Sequence, residues 1–143
     1  MSLPVLVVLV VVGIAAIVLA VHLTGGTRNA LLVDEAAARA RFAVDHPREQ
    51  PKRACLTATG DAAFLELHGG RTGIVRSFGG NFLTRIVTAS DVARLERAAA
   101  ASLVVVARDF TWRGGRFDFA TATDADRVAE WLVPATEEQR RLA

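Results

Sequence analysis

The chain has 143 residues, with 17 Lys and Arg, 15 Asp and Glu, one cysteine and a formal net charge of +2. Basic and acidic residues are nearly equal in number and interspersed, so the chain has no basic tract of the kind that binds nucleic acid. A single cysteine excludes an internal disulfide. Every Lys, Arg, Asp and Glu lies at or after Arg28, so an uncharged N-terminal segment precedes a charged remainder. We therefore expect no nucleic-acid partner and one small domain after the segment.

The uncharged segment runs from Leu3 to Leu23 and is aliphatic except for Pro4, Gly13 and His22. As a helix it rises about 32 Å, which matches a hydrocarbon core of about 30 Å. A cleaved secretory signal is the alternative, but its apolar run is shorter, follows basic residues and ends in a small-residue cleavage pattern. The sequence therefore predicts an uncleaved transmembrane helix over residues 1–23.

Basic side chains follow this helix and none precedes it; Arg28, Arg39 and Arg41 are the first three. Positively charged flanks stay on the cytoplasmic side of a membrane. We therefore expect an N-terminus outside the cell and a cytoplasmic C-terminal domain. The abundance of Ala, Val and Arg is typical of a high-GC bacterial genome, so the expected location is a bacterial inner membrane.

Small residues lie on one face of the predicted span, at Gly13, Ala16 and Ala20. Such a face lets two helices approach closely in lipid. The same spacing arises by chance in a segment rich in Ala and Val, and a lipid-facing stripe is the alternative. These three residues are our candidates for packing between transmembrane helices.

Residues 24–52 are predicted to hold a juxtamembrane helix and a linker. Asn29 could cap a helix from Ala30 to about Val44, and Glu35 precedes Arg39 at the favourable i,i+4 spacing. One face of this helix carries small apolar residues: Val33, Ala36, Ala37, Ala40, Ala43 and Val44. This face could lie at the membrane surface, pair with a partner helix or pack on the following domain, and we favour the last.

Four short strands separated by glycine-containing turns are predicted next. Their ranges are Ala54–Thr59, Ala62–Leu67, Thr72–Phe78 and Phe82–Val87. Glycine at each reversal supplies the positive φ that short hairpin loops need. We therefore expect these strands to form an antiparallel meander.

Residues 88–101 allow two interpretations. Ser90 and Asp91 could cap a helix that is supported by the alanines that follow, or a short strand and loop could occupy the same residues. Two further strands are predicted at Ser102–Arg108 and Arg116–Ala120, the second with alternating inward and outward side chains.

A closing helix is predicted after the last strand. Thr123 is expected to cap it and Pro134 to end it. Its apolar side consists of Ala125, Val128, Trp131 and Leu132. Residues 134–143 form a charged tail, so the predicted soluble domain covers residues 53–133.

A four-stranded meander, two or three further strands and a C-terminal amphipathic helix with Trp131 resemble the pleckstrin-homology-like (PH-like) split barrel. The resemblance covers residues 53–133 and implies an α+β fold in which two bent antiparallel sheets are closed at one corner by that helix. The whole chain is also similar to uncharacterised single-pass membrane proteins of alphaproteobacteria, a similarity that implies no activity.

Lipid-headgroup binding is the function that the resemblance suggests first. The phosphoinositide-binding members hold phosphates with basic residues on the first hairpin, whereas residues 57–62 here carry Asp61 and no Lys or Arg. The following hairpins carry Arg71, Arg76 and Arg85, which could face anionic lipid together with the earlier arginines or be solvated. The sequence therefore lacks the phosphate-binding motif of the family.

Residues of catalytic type are isolated in the sequence. His46 and His68 have no second ligand at metal-binding spacing, and Cys55 lies in a predicted strand as a small buried apolar residue. Asp109 and Asp118 are a candidate carboxylate pair, but their positions are typical of solvated residues. We therefore expect no catalytic, cofactor or metal site.

Trp112 and Arg113 form the most distinctive exposed pair, at a predicted loop tip. An aromatic side chain beside an arginine can contact a partner protein or the membrane interface. The alternative is a Trp112 that folds back over the barrel. With Arg39 and Arg41, these residues are our candidates for partner or membrane contact.

The predicted function is a non-enzymatic single-pass membrane protein whose cytoplasmic β domain is a binding or scaffold module. The expected partners are the lipid bilayer and another membrane or membrane-associated protein; the sequence leaves the oligomeric state open. The alternative is an accessory or assembly subunit of a larger membrane complex, docked through its transmembrane helix.

Overall fold

The structure, a computed structural model, describes residues 2–23 and 30–133. Short 3-10 turns at His68–Gly70 and Ala89–Asp91 interrupt the regular elements. The helices and strands follow in the order α1 (Leu3–Leu23), α2 (Glu35–Asp45), β1 (Arg53–Leu56), β2 (Ala62–Glu66), β3 (Thr72–Phe78), β4 (Asn81–Val87), β5 (Val92–Ala99), β6 (Ser102–Ala107), β7 (Gly114–Asp118) and α3 (Ala122–Leu132).

Helix α1 has the bounds expected from the apolar segment. None of its residues is buried against the rest of the described chain. By length and composition α1 could be a membrane span or a signal sequence. Because α1 is apolar all round, water is a poor environment for its surface, and it needs a cover of lipid or protein.

Strands β1 to β4 form an antiparallel sheet in sequential order, which confirms the predicted meander. The β1–β2 and β3–β4 turns contain glycines with positive φ, Gly60 at 76° and Gly79 at 59°. This left-handed backbone costs little only for glycine, so the two residues fix where the chain reverses.

The second sheet has the order β5-β6-β7, and it settles the ambiguous residues 88–101. Most of this segment is strand β5, in which Leu95 lies opposite Val105 of β6. Ser90 and Asp91, which were expected to cap a helix, instead lie in the 3-10 turn. The side chain of Asp91 accepts the backbone N–H of Thr88 there. Pairing with β6 thus outweighs the helix propensity of the alanines, since β structure depends strongly on context.

The main core lies between the two sheets and under α3. The ring centroid of Phe64 from the first sheet lies 4.9 Å from that of Phe117 and 5.8 Å from that of Phe119. The apolar side predicted for the closing helix is buried there: Ala125, Val128, Trp131 and Leu132.

The predicted cap of α3 is wrong by two residues. Thr121 has extended backbone angles, and its hydroxyl accepts the N–H of Asp124 at 3.1 Å, so Thr121 is the N-cap and Thr123 lies in the first turn. Two threonines each precede an aspartate by three residues, and the sequence alone favours neither. Pro134, the expected end of the helix, lies outside the described residues.

Helix α2 starts five residues later than predicted. The N–H groups of Ala30 and Leu32 donate to the carbonyls of Gly79 and Gly60, each at 2.7 Å. These contacts hold residues 30–33 outside the helix, and Asp34 becomes the N-cap by accepting the N–H of Ala37 at 2.8 Å. Asn29, the cap expected from the sequence, lies outside the described residues.

Helix α2 packs on the outer face of the first sheet and covers a second core, but not with the predicted face. Val33 and Val44 are 89% and 72% exposed, whereas Ala38 and Phe42 are fully buried. The Phe42 ring lies against Gly73 of β3, where a side chain would collide with it. A glycine in the sheet therefore accommodates the ring.

The architecture is α+β, as predicted, with an N-terminal apolar helix before the two antiparallel sheets. A bridge between Thr57 and Phe119 joins the sheets at one corner, but they do not close into a barrel. The PH-like classification stays a prediction.

Candidate contact surface

The two arginines of α2 that were candidates for partner contact bind within the domain. The Arg39 guanidinium donates to the carbonyls of Pro51 at 2.8 Å and Lys52 at 3.2 Å. Arg41 donates to the carbonyl of Phe82 on β4 at 3.0 Å. Because these bonds attach α2 to the sheet, we assign both side chains a structural role and leave external contacts as a prediction.

Trp112 is half-buried, and its ring centroid lies 6.5 Å from that of Phe117. Its indole therefore packs against the main core, which is the alternative noted from the sequence. Arg113 is exposed, and its carbonyl accepts the N–H of Ala107 at 2.9 Å. The exposed aromatic residue of this loop is Phe110, at 92%.

Arg85 of β4 holds the loop that carries Phe110. Its guanidinium forms an ion pair with Asp109 and donates to the Thr111 hydroxyl at 2.7 Å. The Asp109 carboxylate also accepts the backbone N–H of Thr111 at 2.9 Å. Hydrogen bonds from Thr111, backbone first, and the Arg85 charge keep the pKa of Asp109 below its ordinary value.

This arrangement explains why sequence reasoning missed Phe110. Residues 109 and 111 both turn toward Arg85, and the residue between them is left facing solvent. The local signal is the polar-aromatic-polar order of Asp109, Phe110 and Thr111. This order predicts an exposed Phe110 only when Arg85 of β4, which is 26 positions before Thr111, is known to bind both polar neighbours.

The β3–β4 hairpin exposes two further large apolar side chains, Phe78 at 70% and Leu83 at 55%. In the strand register, Leu83 lies opposite Arg76, whose guanidinium donates to the Gly114 carbonyl at 2.9 Å. The hairpin and the loop are therefore neighbours. We call Phe78, Leu83 and Phe110 the apolar tip.

Phe78 of the apolar tip lies beside the first described residues of the domain. The hydrogen bond from Ala30 to Gly79 places the start of the described domain on the turn that follows Phe78. Leu31, the next residue, is 57% exposed. Ala30, Leu31 and the β3–β4 turn beside Phe78 thus lie at one end of the domain.

The candidate helix-packing residues, Gly13, Ala16 and Ala20, are exposed on α1. A Cβ added at Gly13 meets no described atom within 4 Å. A close approach of a second helix at this face is sterically open and stays a prediction.

The titratable candidates have structural environments. Burial, followed by the nearby Asp124, raises the pKa of the Cys55 thiol to about 12. The ring centroids of His46 and Phe42 lie 4.7 Å apart, and the carboxylate of Asp118 accepts from Ser102 and Arg116. No group of three or more His, Cys, Asp or Glu side chains suited to a metal occurs in residues 2–23 and 30–133.

Comparison of the chain with protein-family models, curated proteins and solved structures finds no match. Its function must therefore be argued from its own residues. The two features that bear on function are the apolar helix α1, which is not buried against the described chain, and the exposed apolar tip.

Proposed function

We propose that this chain is a non-enzymatic, single-pass membrane protein whose β domain is a tethered binding module. In this proposal α1 crosses a bacterial inner membrane with its N-terminus outside, and the domain lies in the cytoplasm. The observation that carries it is that α1 is free of charged residues and has none of its residues buried in the rest of the described chain. Lipid would supply the missing cover.

The environments of the polar groups support binding over catalysis. The Cys55 thiol, with a pKa of about 12, is protonated at neutral pH and is a poor nucleophile. Asp109 and Asp118, the candidate carboxylate pair, each accept hydrogen bonds that favour the charged form and lower the pKa. A general acid needs the opposite environment, one that raises the pKa towards neutrality.

Tethering makes a small contact surface useful. A domain held at a bilayer meets membrane-bound partners at high effective concentration, so a weak contact is sufficient. The proposed partners are the bilayer itself and another membrane or membrane-associated protein. The order of the elements and the buried Trp131 of α3 support a PH-like domain as the module.

A second candidate function is an accessory or assembly subunit that docks into a larger membrane complex through α1. The small residues Gly13, Ala16 and Ala20 on one face of α1 support this candidate, because small residues allow close helix packing in lipid.

The proposal is tested on the full-length protein in cells. We expect it to stay in the membrane fraction after alkaline carbonate extraction with Met1 or Ser2 at its N-terminus, and a C-terminal phosphatase fusion to be inactive. Recovery in the soluble fraction with a new N-terminus near His22 would contradict the anchor. An active periplasmic phosphatase fusion would contradict the orientation alone.

A replacement of α1 by an unrelated Leu-rich span separates the two functions. Partners that still co-purify would be bound by the domain, whereas partners lost with the native span would be bound through α1. The Ala16→Leu variant is a milder form of this test, since it fills the small-residue face and keeps the helix apolar.

A further inference from the structure

The apolar tip is too small to form a stable protein interface alone. A fully exposed aromatic side chain offers about 150–250 Å², so Phe78, Leu83 and Phe110 together expose on the order of 450 Å². A standard protein interface buries about 800 Å² on each partner. Aromatic and aliphatic side chains in isolated loops can still enter a lipid interface, where contact needs no shape complementarity.

The length of the chain before the domain limits how far the tip can lie from the bilayer. Seven peptide steps join Leu23, the last residue of α1, to Ala30, and they reach at most about 25 Å. Ala30 is bound to Gly79 in the turn next to Phe78. A domain of this size is about 34 Å across, so the β3–β4 turn with Phe78 is held within about one domain diameter of the end of α1.

The charges around Phe110 fit an anionic surface. Arg108 and Arg113 flank this residue and are exposed, while the nearest acid, Asp109, is paired with Arg85. The acids of this end lie at the β1–β2 turn: Asp61 accepts from threonine hydroxyls, and the exposed Asp34 and Glu35 follow Leu32, which binds Gly60 of that turn. Basic residues beside an aromatic ring are the composition that favours the interface of the negatively charged cytoplasmic leaflet.

The exposed edge of the second sheet is a poorer docking site. Strand β5 carries exposed charges at Arg94 and Glu96 and has register shifts at Val92/Arg94 and Arg97/Ala99. Charges and bulges are the features that prevent an edge strand from pairing with another chain.

We propose that the apolar tip, Phe78, Leu83 and Phe110, inserts into the lipid interface of the membrane that α1 crosses. The inference rests on the proposed function, because it requires α1 as a span. The domain is then attached at two places, the short connection after α1 and the inserted tip. This double attachment fixes which face of the domain is turned to the cytoplasm.

The experiment uses full-length protein in phosphatidylcholine vesicles with a minority of phosphatidylglycerol. A polarity-sensitive fluorophore is placed on N81C, since Asn81 is exposed and lies opposite Phe78 in the register, and on E96C of the β5 edge as a control. The wild type, in which Cys55 is buried, shows how much fluorophore attaches without an introduced cysteine. We expect headgroup-region doxyl lipids to quench the probe several-fold more at position 81 than at 96, and aqueous iodide to do the reverse.

Two serine substitutions test the cause of this difference. In the N81C background, Phe78→Ser with Phe110→Ser should remove the doxyl quenching, while circular dichroism stays unchanged because both side chains are exposed. Equal quenching at positions 81 and 96, or quenching that survives the serine substitutions, would overturn the insertion. Protection of the position-81 probe from iodide could instead rise with the protein-to-lipid ratio, without quenching by doxyl lipid. That result would also overturn the insertion, and it would indicate that a second copy of the chain covers the tip.

Flotation of the vesicles after alkaline washing separates this proposal from the proposed function. Protein that stays with the vesicles and gives equal quenching contradicts the inserted tip and leaves the anchor intact. Protein that is washed off contradicts the anchor itself.

Discussion

The guanidinium of Arg76 on the first sheet lies 5.1 Å from the ring centroid of Phe117 on the second. The same side chain donates to the Gly114 carbonyl and passes so close to Gly115 that a Cβ there would lie 2.9 Å from its nitrogen. Arg76 thus joins the two sheets at the end that carries the apolar tip. Gly115 leaves room for the guanidinium at this place.

Replacement of Arg76 by alanine should destabilise the domain. It removes a half-buried cation–π contact and a hydrogen bond, together about 1–2 kcal/mol of unfolding free energy. A thermal melt followed by circular dichroism should show a Tm several degrees lower. Arg94→Ala is the matched control, because its exposed ion pair with Glu96 is worth less than about 1 kcal/mol. Equal effects of the two substitutions would rule out a special role for Arg76.

A second prediction concerns the fit of α2 to the sheet. A Cβ at Gly73 would lie 2.7 Å from Cζ of Phe42, so Gly73→Ala forces the buried ring to move and should cost about 1–3 kcal/mol. Phe42→Ala should cost about 3–5 kcal/mol, because it leaves a cavity under the helix. Urea unfolding curves measure both losses.

The double variant Gly73→Ala with Phe42→Leu should be more stable than the sum of the single substitutions implies, since the shorter side chain makes room for the new methyl group. Additive losses would mean that the ring and the glycine do not compete for the same space.

The meander could be predicted because its signals are local. Gly60 and Gly79 mark the turns that divide the short apolar runs, so the four strands were found with errors of at most three residues at their ends. The apolar side of α3 was predicted for the same reason, since Val128 and Leu132 repeat at helical spacing.

Features set by distant partners could not be predicted. Helix α2 begins late because Ala30 and Leu32 bind the turns at Gly79 and Gly60, both remote in sequence. The apolar tip depends on Arg85, which orients the loop around Phe110 from another strand. Long-range hydrogen bonds of this kind leave no periodic pattern in the sequence, so local rules place both segments wrongly or overlook them.

Acid should destabilise the domain below about pH 4. The folded pKa of Asp109 is lowered, first by the backbone hydrogen bond from Thr111, and that of Asp118 is lowered, first by the hydroxyl of Ser102. A carboxyl with a lower folded pKa adds stability above its unfolded pKa, and this stability is lost as the pH falls through the folded pKa.

The Asp109→Asn variant isolates one of these carboxyls. Asparagine can still accept the Thr111 N–H but cannot pair with Arg85, so its Tm should be below that of the wild type at neutral pH. The difference in Tm between the two proteins should decrease as the pH falls through the acidic range, because the wild-type carboxyl then loses its charge as well. A Tm difference that is constant with pH would contradict an ionised, paired Asp109.

The thiol of Cys55 should resist alkylation in the folded protein. Burial raises its pKa to about 12 and screens it from reagents, so the fraction of reactive thiolate at neutral pH is negligible. Mass spectrometry after iodoacetamide treatment should show modification only when urea is added. Rapid labelling of the folded protein would place Cys55 in an accessible, polarised site and would revive a catalytic interpretation.

The final prediction concerns the length of the connection between Leu23 and Ala30. An insertion of about ten Gly and Ser residues after Thr27 adds roughly 35 Å of reach, about one domain diameter. Because the side chains of Phe78, Leu83 and Phe110 are proposed to hold the interface, a probe at N81C should stay protected from iodide while the protein stays in the membrane fraction. A probe that becomes accessible to iodide in the lengthened protein would mean that the short connection alone keeps position 81 near the bilayer, and it would contradict insertion by the apolar side chains.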